Sequence, residues 1–107
     1  MEKIHQAMYL MKRVKRIDEL YFPYKIYKRK KIEYINMACS LDIEVSSFME
    51  YDEKYACMYL FGIGVNGRVI IGRTYKEMIS ILDGLCELYE LNQNKRLIIY
   101  IHNLSYE

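Results

Sequence analysis

Tyr34-Ile35-Asn36-Met37-Ala38-Cys39-Ser40-Leu41-Asp42-Ile43-Glu44-Val45 is the stretch on which the fold turns. Ile35, Met37, Cys39, Leu41, Ile43 and Val45 share one parity, and an apolar period of two marks a strand with one buried face. The other parity holds Tyr34, Ala38, Asp42 and Glu44. The alternation predicts a β-strand over residues 34–45 with two carboxylates projecting from the same side.

Downstream, the polar and acidic stretch Ser46–Lys54 predicts a turn, and the apolar run Tyr55–Val65 a second strand. Asn66-Gly67 is a strong two-residue hairpin signal, so Arg68–Ile71 is expected to return antiparallel as a third. Thr74 followed by Glu77 reads as a capping box opening a helix. Met78, Leu82, Leu85, Cys86 and Tyr89 then give that helix an apolar stripe. Asn92–Asn94 breaks it, and Arg96–Ile101 is a further strand. The order β-β-β-α-β implies an α/β fold with a mixed sheet, its last strand lying parallel beside its first.

Upstream of the quoted stretch, Ile4, Met8, Met11, Val14, Ile17 and Leu20 recur at helical spacing. They predict a basic amphipathic N-terminal helix that ends before Phe22-Pro23, because the residue before proline disfavours helix. Residues 24–31 are too basic and irregular to assign. The division is thus residues 1–31, a helix and connecting segment, and residues 32–107, the sheet unit.

With 107 residues and 52% hydrophobic content, the chain is expected to build one core. No run approaches the roughly 18 apolar residues of a membrane span. Cys39, Cys57 and Cys86 are odd in number, widely spaced and set among apolar residues. They read as buried reduced thiols of a cytoplasmic protein, with no zinc or disulfide pattern. Met8, Met11, Met58 and Met78 read as core or interface filling.

Charge is lopsided. Residues 1–31 carry ten Lys/Arg against three acids, and residues 32–107 carry six against eleven. Lys12, Arg13, Lys15, Arg16, Lys25, Lys28, Arg29, Lys30 and Lys31 form the basic set, and they point to an anionic partner or to a solvated face. Tyr21, Tyr24, Tyr27 and Tyr34 are interleaved with these cations. Rings that stack on unpaired bases beside cations that hold phosphates suit single-stranded nucleic acid. The same composition suits a protein interface.

Asp42 and Glu44 are the residues that carry chemistry. Side chains at i and i+2 of a strand share a face, and two carboxylates fixed there offer hard oxygen ligands for Mg2+ or Mn2+. An isolated Asp-x-Glu is common, and by itself reads as a strand end whose acids reach solvent. Gly62-x-Gly64 lies inside the expected hairpin and opens no helix, so it is no phosphate loop. His102 has the chemistry of a general base, but its place at a strand end favours a structural role.

Ser40-Leu41-Asp42-Ile43-Glu44 on the first strand and Tyr100-Ile101-His102-Asn103-Leu104-Ser105-Tyr106-Glu107 after the fourth resemble the first two exonuclease motifs of family-B DNA polymerases, above all the protein-primed phage branch. The resemblance covers about residues 33–107. It implies a partial RNase H-like fold, in which Asp42 and Glu44 match the metal-binding carboxylates and Asn103 matches the Asn that touches single-stranded substrate. Glu107 falls where the second motif has Asp, one methylene shorter. The family's third motif, a Tyr and a final Asp, is not in these residues, so the catalytic set Asp42, Glu44 and Glu107 is incomplete.

Two functions follow as expectations. In one, the chain acts by contact with single-stranded nucleic acid or a nucleic-acid-binding protein, for instance as a phage-encoded inhibitor of a host defence nuclease such as a CRISPR effector. In the other, it is a fragment of an active two-metal 3′–5′ proofreading exonuclease. An incomplete sheet exposes an edge and apolar surface, which predicts a homodimer or an obligate complex. The setting implied is the cytoplasm of a phage-infected or prophage-carrying bacterium.

Overall fold

Alternation along the chain sets the sheet. The computed structural model describes residues 10–103, the side chains of residues 47, 48, 50, 55, 56, 59 and 103 excepted. Its elements are β1 (Lys12–Arg13), a one-turn 3₁₀ helix (Ile17–Leu20), β2 (Ile26–Arg29), β3 (Ile32–Glu50), β4 (Glu53–Val65), β5 (Arg68–Gly72), α1 (Tyr75–Leu88) and β6 (Lys95–Asn103). The architecture is mixed α/β. Antiparallel β3, β4 and β5 form a meander, α1 crosses over, and β6 returns parallel to β3. Both the β-β-β-α-β order and the placing of the last strand beside the first agree with the sequence.

Three hairpins close through two-residue turns with positive φ at both central positions: Lys30-Lys31, Tyr51-Asp52 and Asn66-Gly67. Such turns match the right-handed twist of the strands they join. Only Asn66-Gly67 announces itself in composition. At Tyr51-Asp52 the turn is shorter than the stretch 46–54 suggests, because Ser46↔Cys57 through Glu50↔Glu53 continue the ladder. Among the described pairings this ribbon extends past β5 and β6, and the stretch 46–54 lacks the one-sided alternation by which a strand is recognised.

The described part of the expected N-terminal helix is not α-helical, and its residues 4–9 lie outside the described range. Lys12 N–H donates to Gly67 O and Val14 N–H to Val69 O, each at 2.9 Å, which makes β1 a parallel edge strand on β5. The free edge of β5 competes for these donors. The apolar residues of the stripe are still used. Val14 and Leu20 are buried, Ile17 packs on the main core, and Met11 packs on Val69, Leu60 and Ile71. β2 orders the basic stretch left unassigned, pairing Ile26–Arg29 with Ile32–Ile35.

The core lies on one face of the sheet. Ile35, Cys39 and Leu41 of β3, Phe61, Ile63 and Val65 of β4 and Ile70 of β5 meet Met78 and Leu85 of α1 and the nearby Tyr89. α1 starts as expected: Thr74 Oγ1 accepts from Glu77 N–H, and Glu77 Oε1 accepts from the backbone N–H of Arg73 and Thr74. The Arg73 contact leads in holding the Glu77 carboxyl below its ordinary range. Among the described helices, none is long and apolar enough to cross a membrane.

Residues 19–24 are tied beneath this face. The Tyr89 hydroxyl donates to Leu20 O at 2.7 Å and accepts from Phe22 N–H at 2.9 Å. Arg68 reaches Glu19 O and lies over the Phe22 ring, while Lys95 donates to the Tyr24 hydroxyl. Tyr89→Phe deletes one oxygen and orphans two backbone groups. It is expected to cost about 1–3 kcal/mol in denaturant unfolding, and an unchanged midpoint would contradict this pin.

Of the three cysteines only Cys39 is buried. Cys57 and Cys86 are exposed, which corrects the expectation of three buried thiols. Cys86 sits on the solvent side of α1, and Cys57 in the β3–β4 ribbon. Burial pushes the Cys39 thiol up to about 12. Titration of the native protein with a thiol reagent at pH 8 is therefore expected to label Cys57 and Cys86 rapidly and Cys39 only after unfolding.

Candidate functional site

The even positions of β3 face away from α1. Asp42 and Glu44 lie there, separated by one strand step, about 7 Å along the backbone. Across the β3–β4 ladder Asp42 stands opposite Gly62, Ser40 opposite Gly64, and Glu44 opposite Leu60. The two glycines put no side chain beside Asp42. On the other edge Asp42 is in register with His102 of β6, and Ser40 with Tyr100.

Two irregularities flank the carboxylates. Val45 pairs with Met58, so Tyr59 is an extra residue in β4 immediately beyond Glu44. Between Tyr34↔Arg96 and Ala38↔Ile98, residues 35–37 of β3 stand against the single residue Leu97 of β6. Bulges of this kind bend a strand and re-aim its side chains.

Both carboxylates are buried, Asp42 at 0% and Glu44 at 1% exposure, and they are the only buried charged residues among those described. Neither oxygen of Asp42 has a hydrogen-bond partner among the described residues. An ionised carboxylate in this position costs several kcal/mol unless a counter-charge or a proton offsets it. The expectation that these acids form a pair on one face holds. The alternative, strand-end acids in contact with water, does not.

His102 is exposed on the carboxylate face. Asn103 is placed by its backbone alone, opposite Ile43, and Glu107 lies outside the described residues. No set of three His, Cys, Asp or Glu side chains suited to a metal ion occurs among the described residues. Asp42 and Glu44 are two carboxylates on one face and do not by themselves make up such a set.

All nine residues of the basic set are exposed, but the fold disperses them. Lys12 and Arg13 sit on β1 against β5, whereas β2 pairs with β3. Arg16 is engaged with Asp18 at 2.8 Å. Within β2 the alternation separates neighbours: Tyr27 pairs with Tyr34, so Lys25, Tyr27 and Arg29 lie toward the carboxylate face. Lys28 lies on the other face, where with Lys31, Glu33 and Lys95 it borders a shallow cavity. Lys30 and Lys31 form the turn.

Sequence reasoning passed over Arg96, Ile98 and Tyr100, which line up on the carboxylate face of β6 and are exposed. The signal was present. Leu97 and Ile99 pack on the core, so the residues between them must face the other way. Searches against protein-family models, curated proteins and solved structures find no match.

If Asp42 is held ionised without a partner, Asp42→Asn removes a destabilising charge. In EDTA the variant is expected to gain about 1–3 kcal/mol, a Tm rise of roughly 5 °C or more by calorimetry. A Tm that stays level or falls would show that the carboxylate is already neutralised.

Proposed function

We propose that this chain is part of a nucleic-acid-processing unit of RNase H-like, 3′–5′ exonuclease type, with Asp42 and Glu44 as its divalent-cation ligands. The observation that carries this is the Asp42 side chain, fully buried, partnerless among the described residues, and set beside Glu44 on the sheet face turned away from α1. The strand order supports it: a three-strand antiparallel meander, a helical crossover, and a fourth strand parallel to the first. The acids stand on the first strand of that meander, with sheet on both sides.

Hard carboxylate oxygens on a rigid strand fit Mg2+ or Mn2+. A divalent cation bound there would polarise a phosphodiester and lower the pKa of bound water. The chain's own contribution is to fix both acids through two ladders and to place His102 in register with Asp42. Completing a cleavage site takes at least one further acidic ligand beyond the described pair.

A second reading has its own support in the nine exposed cations. In it the chain acts by contact alone, on nucleic acid or on a nucleic-acid-binding protein such as a host defence nuclease. The two readings divide on Asp42. Calorimetric titration with Mn2+ is expected to show saturable binding, and Mn2+ to raise Tm by mass action. Both effects should vanish in Asp42→Asn. No binding at millimolar Mn2+, together with a function that is lost on neutralising Lys28–Lys31 but kept in Asp42→Asn, would favour the second reading.

A further inference from the structure

β2, β3 and β6 share the open face of the sheet, and on it lies a cavity of about 150 Å³ lined by Tyr27, Asn36, Ala38, Ile98 and Tyr100 among others. It sits over the bulge of β3, spanning all three strands. Tyr27 and Tyr34 stack at one end with centroids 5.4 Å apart and planes 19° from parallel. Tyr100 is 56% exposed, Tyr27 39% and Ile98 37%. Tyr100 is in register with Ser40, so the cavity lies one strand step from the Asp42–His102 pair, about 7 Å.

Cations surround this aromatic surface. Asn36 N–H donates to Lys25 O, which puts Lys25 across from Asn36. Lys25 and Arg29 flank Tyr27 at i−2 and i+2 on one side of β2, and Arg96 is in register with Tyr34. Of the interleaved residues, Tyr27 and Tyr34 come together with Lys25 and Arg29 on this face, while Tyr21 and Tyr24 pack against Tyr89 on the other. Exposed rings with room between them, an amide to meet a polar edge and cations around the rim have the chemistry of a single-stranded nucleic acid site.

We infer that the cavity over the β3 bulge receives one unpaired nucleobase of a single-stranded nucleic acid, stacked against Tyr27 or Tyr100, with Lys25, Arg29 and Arg96 on the adjoining phosphates. The inference deepens the proposed function by naming how its substrate strand is held near the carboxylates. A protein partner is the competing occupant. Cations on both strands that flank β3, beside flat rings on the face that also bears the acids, favour the nucleic acid.

The test is fluorescence anisotropy with a labelled 12-nucleotide oligo-dT and the full chain, in EDTA at low salt. Tyr100→Ala and Tyr27→Ala are each expected to weaken binding about 5- to 100-fold, and Tyr100→Phe to retain it. Arg29→Ala and Lys28→Ala make a charge-matched comparison across the two faces of β2. Arg29→Ala should flatten the log–log salt slope by about 0.7, and Lys28→Ala should leave it nearly unchanged. A duplex of equal length should bind more weakly, since its bases are not free to enter.

Circular dichroism of each variant separates lost binding from lost folding. The inference is overturned if the wild type does not bind oligo-dT. It is equally overturned if both Tyr→Ala variants bind as the wild type does, or if Lys28 and Arg29 are equivalent, since charge alone then suffices. Because no cation is present, Tyr-dependent binding by a chain that fails to bind Mn2+ would sink the carboxylate reading and leave this inference standing.

Discussion

Side-chain alternation along β3 is the constraint from which the rest of the molecule follows. One strand of 19 residues serves both faces of the sheet. Its odd positions supply Ile35, Cys39 and Leu41 to the core, and its even positions carry Asp42 and Glu44. A slip of one residue would drive both acids into the apolar layer under α1 and expose the core residues. The extra residue in β4 beyond Glu44 and the bulge over residues 35–37 let the neighbouring strands change register without disturbing that assignment.

Burial is divided unequally between the faces. On one, α1 and the segment around Leu20 close a continuous apolar layer, with the Tyr89 hydroxyl joining the two by a pair of backbone hydrogen bonds. Tyr21 and Tyr24 pack around the Tyr89 ring at 5.1 and 5.5 Å. On the other face the small cluster of Val69, Met11, Leu60 and Ile71 lies at the β5 side, and the β6 side carries exposed aromatic and basic groups. Among the described residues the larger apolar cluster lies on the α1 face, and the two buried carboxylates lie on the other.

Most of the fold was legible in the sequence because its signals are local. The period of two in 34–45, the Asn66-Gly67 turn and the Thr74–Glu77 capping box each work within a few residues. What was not legible depended on competition at a distance. Met11, Val14 and Ile17 have helical spacing, yet the bare edge of β5 captures the backbone of this segment. Lys30-Lys31 carries no turn signature, and the turn follows from the pairing of Tyr27 with Tyr34. Asp42 and Glu44 were readable as a pair, but their burial was not, since two acids at i and i+2 of a strand read equally well as solvated. The basic set was readable as composition. Its sorting between faces needed the register of β2.

Strand β6 meets β3 in parallel, so none of its pairings is shorter in sequence than the whole β4–β5–α1 segment. Each of the three hairpins closes a much smaller loop. Loop-closure entropy grows with length, and non-local parallel pairing is slow. The order of assembly is therefore expected to run from hairpins to helix docking to the arrival of β6. Tyr100 and His102 arrive with that last strand. Everything that adjoins Asp42 on the β6 side comes into being only as the chain completes its fold, and partly folded species would lack the surface altogether.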